Sequence, residues 1–289
     1  MSSKQPRLKS AEKSKGFTLI EISIVLVIIG LLVGGVLVGR DLIAAAQVRA
    51  QISQIEKYQQ AVNTFKGKYD YLPGDIKDPE ATQFGFRARS GLYTSDGNGI
   101  VEGASAGARH GGFQCGETAL FWADLNTALL IEGKFTQSCI SAASQTAVAN
   151  QLPSAAIGAG NNIYAHSDSG INYFGMSQVI YVNGPGSIPA TKLGLSVAQA
   201  YSIDSKMDDG YPQSGKITAL FLNYNAVVTG APYSNCCAPV YAGASDISST
   251  APSLTTCYDN NSVAGARQQY SITQNNGTGV NCALSFQFQ

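Results

Sequence analysis

The hydrophobic pattern changes character twice along the chain. From Phe17 to Gly39 nearly every position is apolar (FTLIEISIVLVIIGLLVGGVLVG), with no proline and one ionisable group, Glu21. A helix of these 23 residues is about 35 Å long, enough to cross a hydrocarbon core of ~30 Å with slight tilt. Past Arg40 the run becomes a stripe. Leu42, Ala45, Val48, Ile52, Ile55, Tyr58, Val62 and Phe65 recur every three or four positions, with Arg49, Gln51, Glu56, Lys57 and Gln60 between them. This spacing predicts one amphipathic helix running to Lys66, stopped by Gly67 ahead of Pro73. The whole rod is about 75 Å long. Its first half cannot be buried within its own domain, so lipid or neighbouring chains must cover it.

From about residue 70 the periodicities shorten. Leu72-Pro73-Gly74-Asp75 and Ser95-Asp96-Gly97-Asn98-Gly99 read as turns. Glu117–Ile131 has near-helical apolar spacing closed by Gly133, and a second short helix is expected from Ser196 as N-cap to Gly210. Strands are expected at Ile171–Phe174, Gln178–Val182 and Lys216–Tyr224, which are rich in β-branched and aromatic residues. From Gly230 on, Ser, Thr, Asn, Gly and Cys dominate and predict an irregular, tethered end.

Composition adds two constraints. The 289 residues carry 19 basic and 19 acidic side chains, only 13% charged in all, so no basic excess marks a nucleic-acid binder. The balance is uneven, however: Lys4, Arg7, Lys9, Lys13 and Lys15 oppose Glu12 alone before the apolar run. By the positive-inside rule the N-terminus is cytoplasmic and the residues beyond about 40 lie across the membrane. A plain signal-anchor and a signal peptide cut after Ala44-Ala45-Ala46 both fit the run in outline. Neither accounts for Glu21, a carboxylate costing roughly 2.5–3.5 kcal/mol within a spanning helix.

Lys15-Gly16-Phe17-Thr18-Leu19-Ile20-Glu21, followed at once by the apolar run, resembles the class III signal of type IV prepilins and type II secretion pseudopilins. The resemblance implies cleavage between Gly16 and Phe17 by a prepilin peptidase, and N-methylation of Phe17. It also places Glu21 at the glutamate position used in assembly, where the Phe17 amine of a neighbouring subunit or of its own chain would supply the opposite charge. LPGD at 72–75, SDGNG at 95–99, FWADL at 121–125 and IDSKMDDGYPQSG at 203–215 resemble stretches of type II secretion-like prepilins.

The implied fold is α+β and ladle-shaped. A long N-terminal helix packs on a head with an antiparallel sheet, short helices and a disulfide-tethered C-terminal loop region. The implied organisation is a basic leader at 1–16, a transmembrane half-helix at 17–39, an amphipathic continuation at 40–67 and a periplasmic head at 68–289. The implied function is that of a non-enzymatic filament subunit of a type IV pilus or type II secretion pseudopilus. Its partners would be the peptidase/N-methyltransferase, other pilin or pseudopilin subunits, and an inner-membrane assembly platform with a cytoplasmic ATPase. A minor pilin binding at the tip in adhesion or DNA uptake, or an anchored periplasmic enzyme, are the alternatives. Gly30, Gly34, Gly35 and Gly39 allow either close helix packing or local melting.

Six cysteines, Cys115, Cys139, Cys236, Cys237, Cys257 and Cys282, lie on the exported side and predict disulfides. Cys115 and Cys139 flank the FWADL helix and form the first candidate pair; the other four would staple the C-terminal end. No cofactor is required, but calcium is a candidate ligand in two places. Asp204, Asp208 and Asp209 gather at a helix end, with Lys206 or Lys216 as alternative counter-charges. Asp96, Asn98 and Glu102 offer oxygens at turn spacing, or simply bond their own backbone. His110 beside Cys115 and Glu117 is the sole arrangement suggestive of catalysis. Arg87, Arg89 and Arg109 read as solvated surface.

Overall fold

The computed structural model describes residues 16–103, 115–136, 145–158, 160–181, 190–222, 239–243 and 248–289. The chain divides into two compact units, Met1–Ala46 and Gln47–Gln289. Helix α1 (Leu19–Tyr69) begins in the first and ends in the second. It runs unbroken through Gly30, Gly34, Gly35 and Gly39.

In the first unit every large apolar side chain from Leu19 to Ile43 is exposed. This part of α1 is long and apolar enough to cross a membrane, with a mean hydropathy of 2.9 over its best window. Such a surface is stable only against lipid or protein.

In the second unit α1 contributes Val48, Ile55, Ala61, Val62 and Phe65 to the core, together with Gln51. Gln51 sits among the polar positions of the sequence stripe, yet it is fully buried and its Oε1 accepts a bond from the Ile157 amide at 3.2 Å. The helix passes the expected stop at Gly67. It ends instead where Asp70 takes a left-handed conformation (φ 61°) and donates its N–H to Lys66 O at 2.8 Å. Aspartate tolerates that conformation better than most residues.

Among the described residues the other α-helices are α2 (Glu80–Gln83), α3 (Glu117–Thr127), α4 (Gln145–Gln151) and α5 (Val197–Met207). α5 starts as the sequence predicts: Ser196 Oγ accepts from the Gln199 amide (3.1 Å) and Gln199 Oε1 from the Ser196 amide (3.0 Å), a reciprocal cap. The strands among the described residues are β1 (Asn161–Asp168), β2 (Ile171–Tyr181), β3 (Ala190–Lys192), β4 (Ile217–Thr218), β5 (Leu220–Leu222), β6 (Pro239–Tyr241), β7 (Tyr258–Asp259), β8 (Gln269–Tyr270) and β9 (Leu284–Gln287).

The main sheet is antiparallel, in the order β1-β2-β9-β4, with β3 also on β2. Two strands expected at 171–182 are one, continuous through Gly175. A Cβ there would lie 2.1 Å from the Tyr164 ring of β1, so glycine lets the two strands close. β1 carries no alternating signal because both its faces are buried. The C-terminal region is largely short elements and turns, but β9 enters the middle of the sheet between β2 and β4. A Cys257–Cys282 disulfide tethers the chain two residues before it. The fold is thus α+β, with a long N-terminal helix and an antiparallel sheet.

Candidate processing and assembly site

Gly16 and Phe17 precede the helix and are exposed, Phe17 at 84%. Thr18 is the residue that starts α1. Its carbonyl accepts from the Ile22 amide (3.3 Å) and its hydroxyl from the Glu21 amide (3.3 Å). Glu21 Oε2 in turn accepts from the Thr18 amide (2.7 Å) and hydroxyl (2.8 Å). This is a capping box, T-x-x-E. It leaves the Gly16–Phe17 peptide in non-helical chain and gives the Glu21 carboxylate two donors from its own segment. Thr18 escapes a reading centred on the glycine and the glutamate, although its spacing from Glu21 is the signal that identifies it.

In the head, three stretches singled out by sequence converge on buried acid groups. Asp75 of the LPGD turn accepts from the Gly97 and Gly99 amides, each at 2.8 Å. Glu117, at the start of α3, accepts from the amides of Asp96 (3.1 Å) and Glu102 (2.8 Å). Carboxylate oxygens of Asp75, Asp96 and Glu117 lie within 4.8 Å of one another. Burial raises the pKa of both Asp75 and Glu117, and for Glu117 the Asp75 charge adds to the effect. Next to this pair, Asp124 of FWADL accepts from the Gly74 amide (2.8 Å) and pairs with Arg89.

The candidate set Asp96, Asn98 and Glu102 is therefore assembled differently. Asp96 accepts from the Asn98 amide and side chain, both at 3.0 Å, as a self-bonded turn. Glu102 contributes through its backbone, and Asp75 and Glu117 take the places expected of Asn98 and Glu102. Arg89 corrects the surface reading of the arginines, since its side chain is 1% exposed. Arg87 stacks over Tyr93 at 3.7 Å, and Arg109 lies outside the described residues.

Asp204, Asp208 and Asp209 do come together, again within 4.8 Å. Each carboxylate meets protein donors. Asp204 accepts from the Gly210 amide (3.1 Å) and Tyr270 hydroxyl (2.8 Å). Asp208 accepts from the amides of Lys216 and Ile217. Asp209 accepts from the Tyr211 amide (2.9 Å), Ser214 hydroxyl (2.6 Å) and Arg267 (2.9 Å). The cationic partner is thus Arg267, rather than Lys206 or Lys216. The three carboxylates thus share one knot with protein donors, and one oxygen of each lies within 4.8 Å of the others.

Cys115 is disulfide-bonded, which removes the thiolate that a Cys–His site needs. His110, Cys139, Cys236 and Cys237 lie outside the described residues. His166 is fully buried with Nε2 3.0 Å from Ser285 Oγ, and burial lowers its pKa to about 3. It is a neutral strand residue.

Residues 13–37 match the family described as the prokaryotic N-terminal methylation motif. No curated protein and no solved structure matches the chain. The matched segment covers Gly16, Phe17, Thr18 and Glu21 and most of the apolar run. With a methylation motif that leads directly into a long apolar helix, the chain is type IV prepilin-like.

Proposed function

We propose that this protein is a structural subunit of a type IV pilus-like or type II secretion pseudopilus filament. The carrying observation is the methylation motif at 13–37 continuous with a helix apolar enough to span a membrane. In this reading the precursor sits in the inner membrane with its N-terminus cytoplasmic and its head periplasmic. A prepilin peptidase cuts between Gly16 and Phe17 and methylates the Phe17 amine. The helix then leaves the membrane for a growing fibre, driven by an assembly platform and its ATPase. A small residue at Gly16 admits the backbone to the peptidase, and the exposed, non-helical Gly16–Phe17 bond supports such access. Removing the leader creates an ammonium at Phe17, four residues ahead of Glu21, the first carboxylate of the helix, and available to Glu21 of the same or an adjacent subunit. The chemistry asked of the protein is packing and charge pairing, not catalysis.

The test is mass spectrometry of the chain from the envelope of a cell with a prepilin peptidase. A mature form starting at N-methylated Phe17, and a Gly16→Arg variant retained as precursor, are expected. A chain starting at Gln47 would replace this reading with ordinary signal-peptide removal.

A further inference from the structure

Charge is unevenly placed on the head. Where α1 ends, Lys66, Lys68, Asp70, Lys77 and Arg87 are all exposed. Where α1 enters the head, the surface is different. Gln47 shares a groove there with Gly158, Leu193, Ser196 and Val280. The segments that supply those residues are 153–163, 190–203 and 271–283. Together with 250–258 beside them, they carry Lys192 and no other charged side chain. Two large apolar side chains stand out from this face, Leu254 at 63% and Val280 at 59% exposure. They belong together, since Asn281 Nδ2, next to Val280, donates to Leu254 O at 2.8 Å.

The chain limits how far this face can lie from lipid. Leu42 and Ile43 are exposed like the apolar run before them, and three alanines separate Ile43 from Gln47. Those four residues of α1 span about 6 Å. A headgroup layer has a comparable depth, ~5–8 Å on each side of the hydrocarbon. Lipid that covers Ile43 therefore brings its headgroups to the level of Gln47 and of the side chains around its groove. At that level apolar side chains gain by leaving water, a lysine is drawn to anionic lipid and carboxylates are repelled by it. Leu254, Val280 and Lys192, on a face whose segments hold no acid, meet each condition.

We propose that the face of the head carrying Leu254 and Val280 rests on the bilayer while the subunit waits in the membrane. Both side chains then sit in the headgroup layer, with Lys192 beside anionic headgroups. The inference rests on the membrane-anchored reading above and adds to it a second attachment beside α1. Two attachments fix the rotation of the head about the helix, so every waiting subunit presents the same side to a growing filament.

The experiment reconstitutes the full chain in vesicles of phosphatidylcholine and phosphatidylglycerol with acyl chains brominated near the headgroup. Bromine quenches indole only at short range, and the native Trp122 is buried. Val280→Trp should lose at least half of its added emission to the brominated lipid. Phe84→Trp should lose none, because Phe84 is exposed beside Tyr69 at the other end of α1. Equal quenching at the two positions, or none at either, overturns the contact. A carbonate wash separates the two readings. A chain retained in the vesicles without quenching at position 280 overturns the contact alone, whereas a chain washed out removes the membrane anchor as well. Emission from position 280 that shifts to the blue without bromine quenching assigns the face to a second copy and overturns the proposal. Lys192→Glu should at least halve the quenching of Val280→Trp in these vesicles and leave it unchanged in phosphatidylcholine alone. No loss in the anionic vesicles overturns the role of Lys192.

Discussion

Arg89 and Asp124 form an ion pair at 2.6 Å with both side chains buried. Arg89 Nε also donates to Ile76 O at 2.9 Å, and Asp124 Oδ2 accepts from the Gly74 amide at 2.8 Å. One charge pair thereby ties the turn after α1 and the segment reaching Arg89 to α3. Removing one partner leaves a buried charge uncompensated, which destabilises by about 3–5 kcal/mol. Arg89→Met should lower the denaturation free energy by that amount. The double variant Arg89→Met with Asp124→Leu should recover most of it, as read by urea titration.

Gly74 tests the neighbouring turn. It has φ +84°, and a Cβ would lie 2.2 Å from the Glu117 carbonyl oxygen, a backbone atom that cannot swing aside. Gly85 shares the same φ with open space around it. Gly85→Ala should therefore cost only the left-handed strain of roughly 1–2 kcal/mol. Gly74→Ala should displace α3 and lose most of the folded head. Far-UV circular dichroism and melting temperature of the two variants side by side give the comparison.

These polar ties mark the boundary of what was legible. The apolar run, the stripe from Leu42 to Phe65, the capped start of α5 and the acidic cluster after it follow from spacing and side-chain type alone. Buried polar groups do not. Gln51 and Arg89 look like surface residues because their sequence neighbours are polar, and only the tertiary partners, Ile157 and Asp124, make their burial affordable. β1 and β9 are hidden for a related reason. Asn161-Asn162 and Ser285 occupy buried strand positions, which erases the alternation that betrays a half-buried strand.

The head should be more stable in mild acid than at pH 8. Burial raises the carboxyl pKa of Asp204 to about 7 and of Asp124 to about 6, and raises those of Asp75 and Glu117. A carboxyl raised in the folded state keeps its proton longer there than in the unfolded chain. Its contribution is full below the unfolded pKa near 4 and is lost as pH rises through the folded value. Each such group adds a slope of up to ~1.4 kcal/mol per pH unit within its window. His166 acts oppositely: lowered to about 3, it costs stability as pH falls below its unfolded value of 6.5. The carboxyls outnumber it, so the melting temperature of the full chain in detergent should rise from pH 8 to about pH 5 and fall again below 4. Asp204→Asn should flatten the rise between pH 5 and 7. A melting temperature that climbs steadily to pH 8 would contradict the assignment.

Calcium should leave this head unchanged. Asp204, Asp208 and Asp209 already accept bonds from Gly210, Tyr270, Lys216, Ile217, Tyr211, Ser214 and Arg267. A chelator and added calcium should give melting temperatures within about 1 °C of each other. Asp209→Ala should lower both equally, because it loses the turn hydrogen bonds from Tyr211 and Ser214 and an exposed ion pair with Arg267, together worth about 1–2 kcal/mol. A calcium-dependent rise abolished by Asp208→Ala would instead place a cation in the knot.

Glu21 is expected to matter after insertion and not before it. Its carboxylate meets the Thr18 amide and hydroxyl at 2.7 and 2.8 Å, so the lone subunit carries its acid already solvated by its own helix start. Glu21→Val removes that cap, worth about 1 kcal/mol, but also removes the greater cost of a carboxylate in lipid. The variant should therefore insert at least as well as wild type and still be cut after Gly16, whose peptide bond lies outside the helix. Assembly is different. A charge pair with the Phe17 amine at ~4 Å and an effective dielectric near 20 has a Coulomb energy of about 4 kcal/mol before desolvation, enough to select one axial register over the next. Without it, apolar helices slide past one another at little cost, so the yield in sheared filaments should fall well below that in membranes. Thr18→Val provides the complementary case. The acid remains but loses its hydroxyl donor, so insertion should suffer while any subunit that does insert retains the charge for docking. Fractionating membranes and sheared filaments for both variants, with processing checked in each, decides the matter. Normal filament yield from Glu21→Val would mean that helix packing alone sets the register.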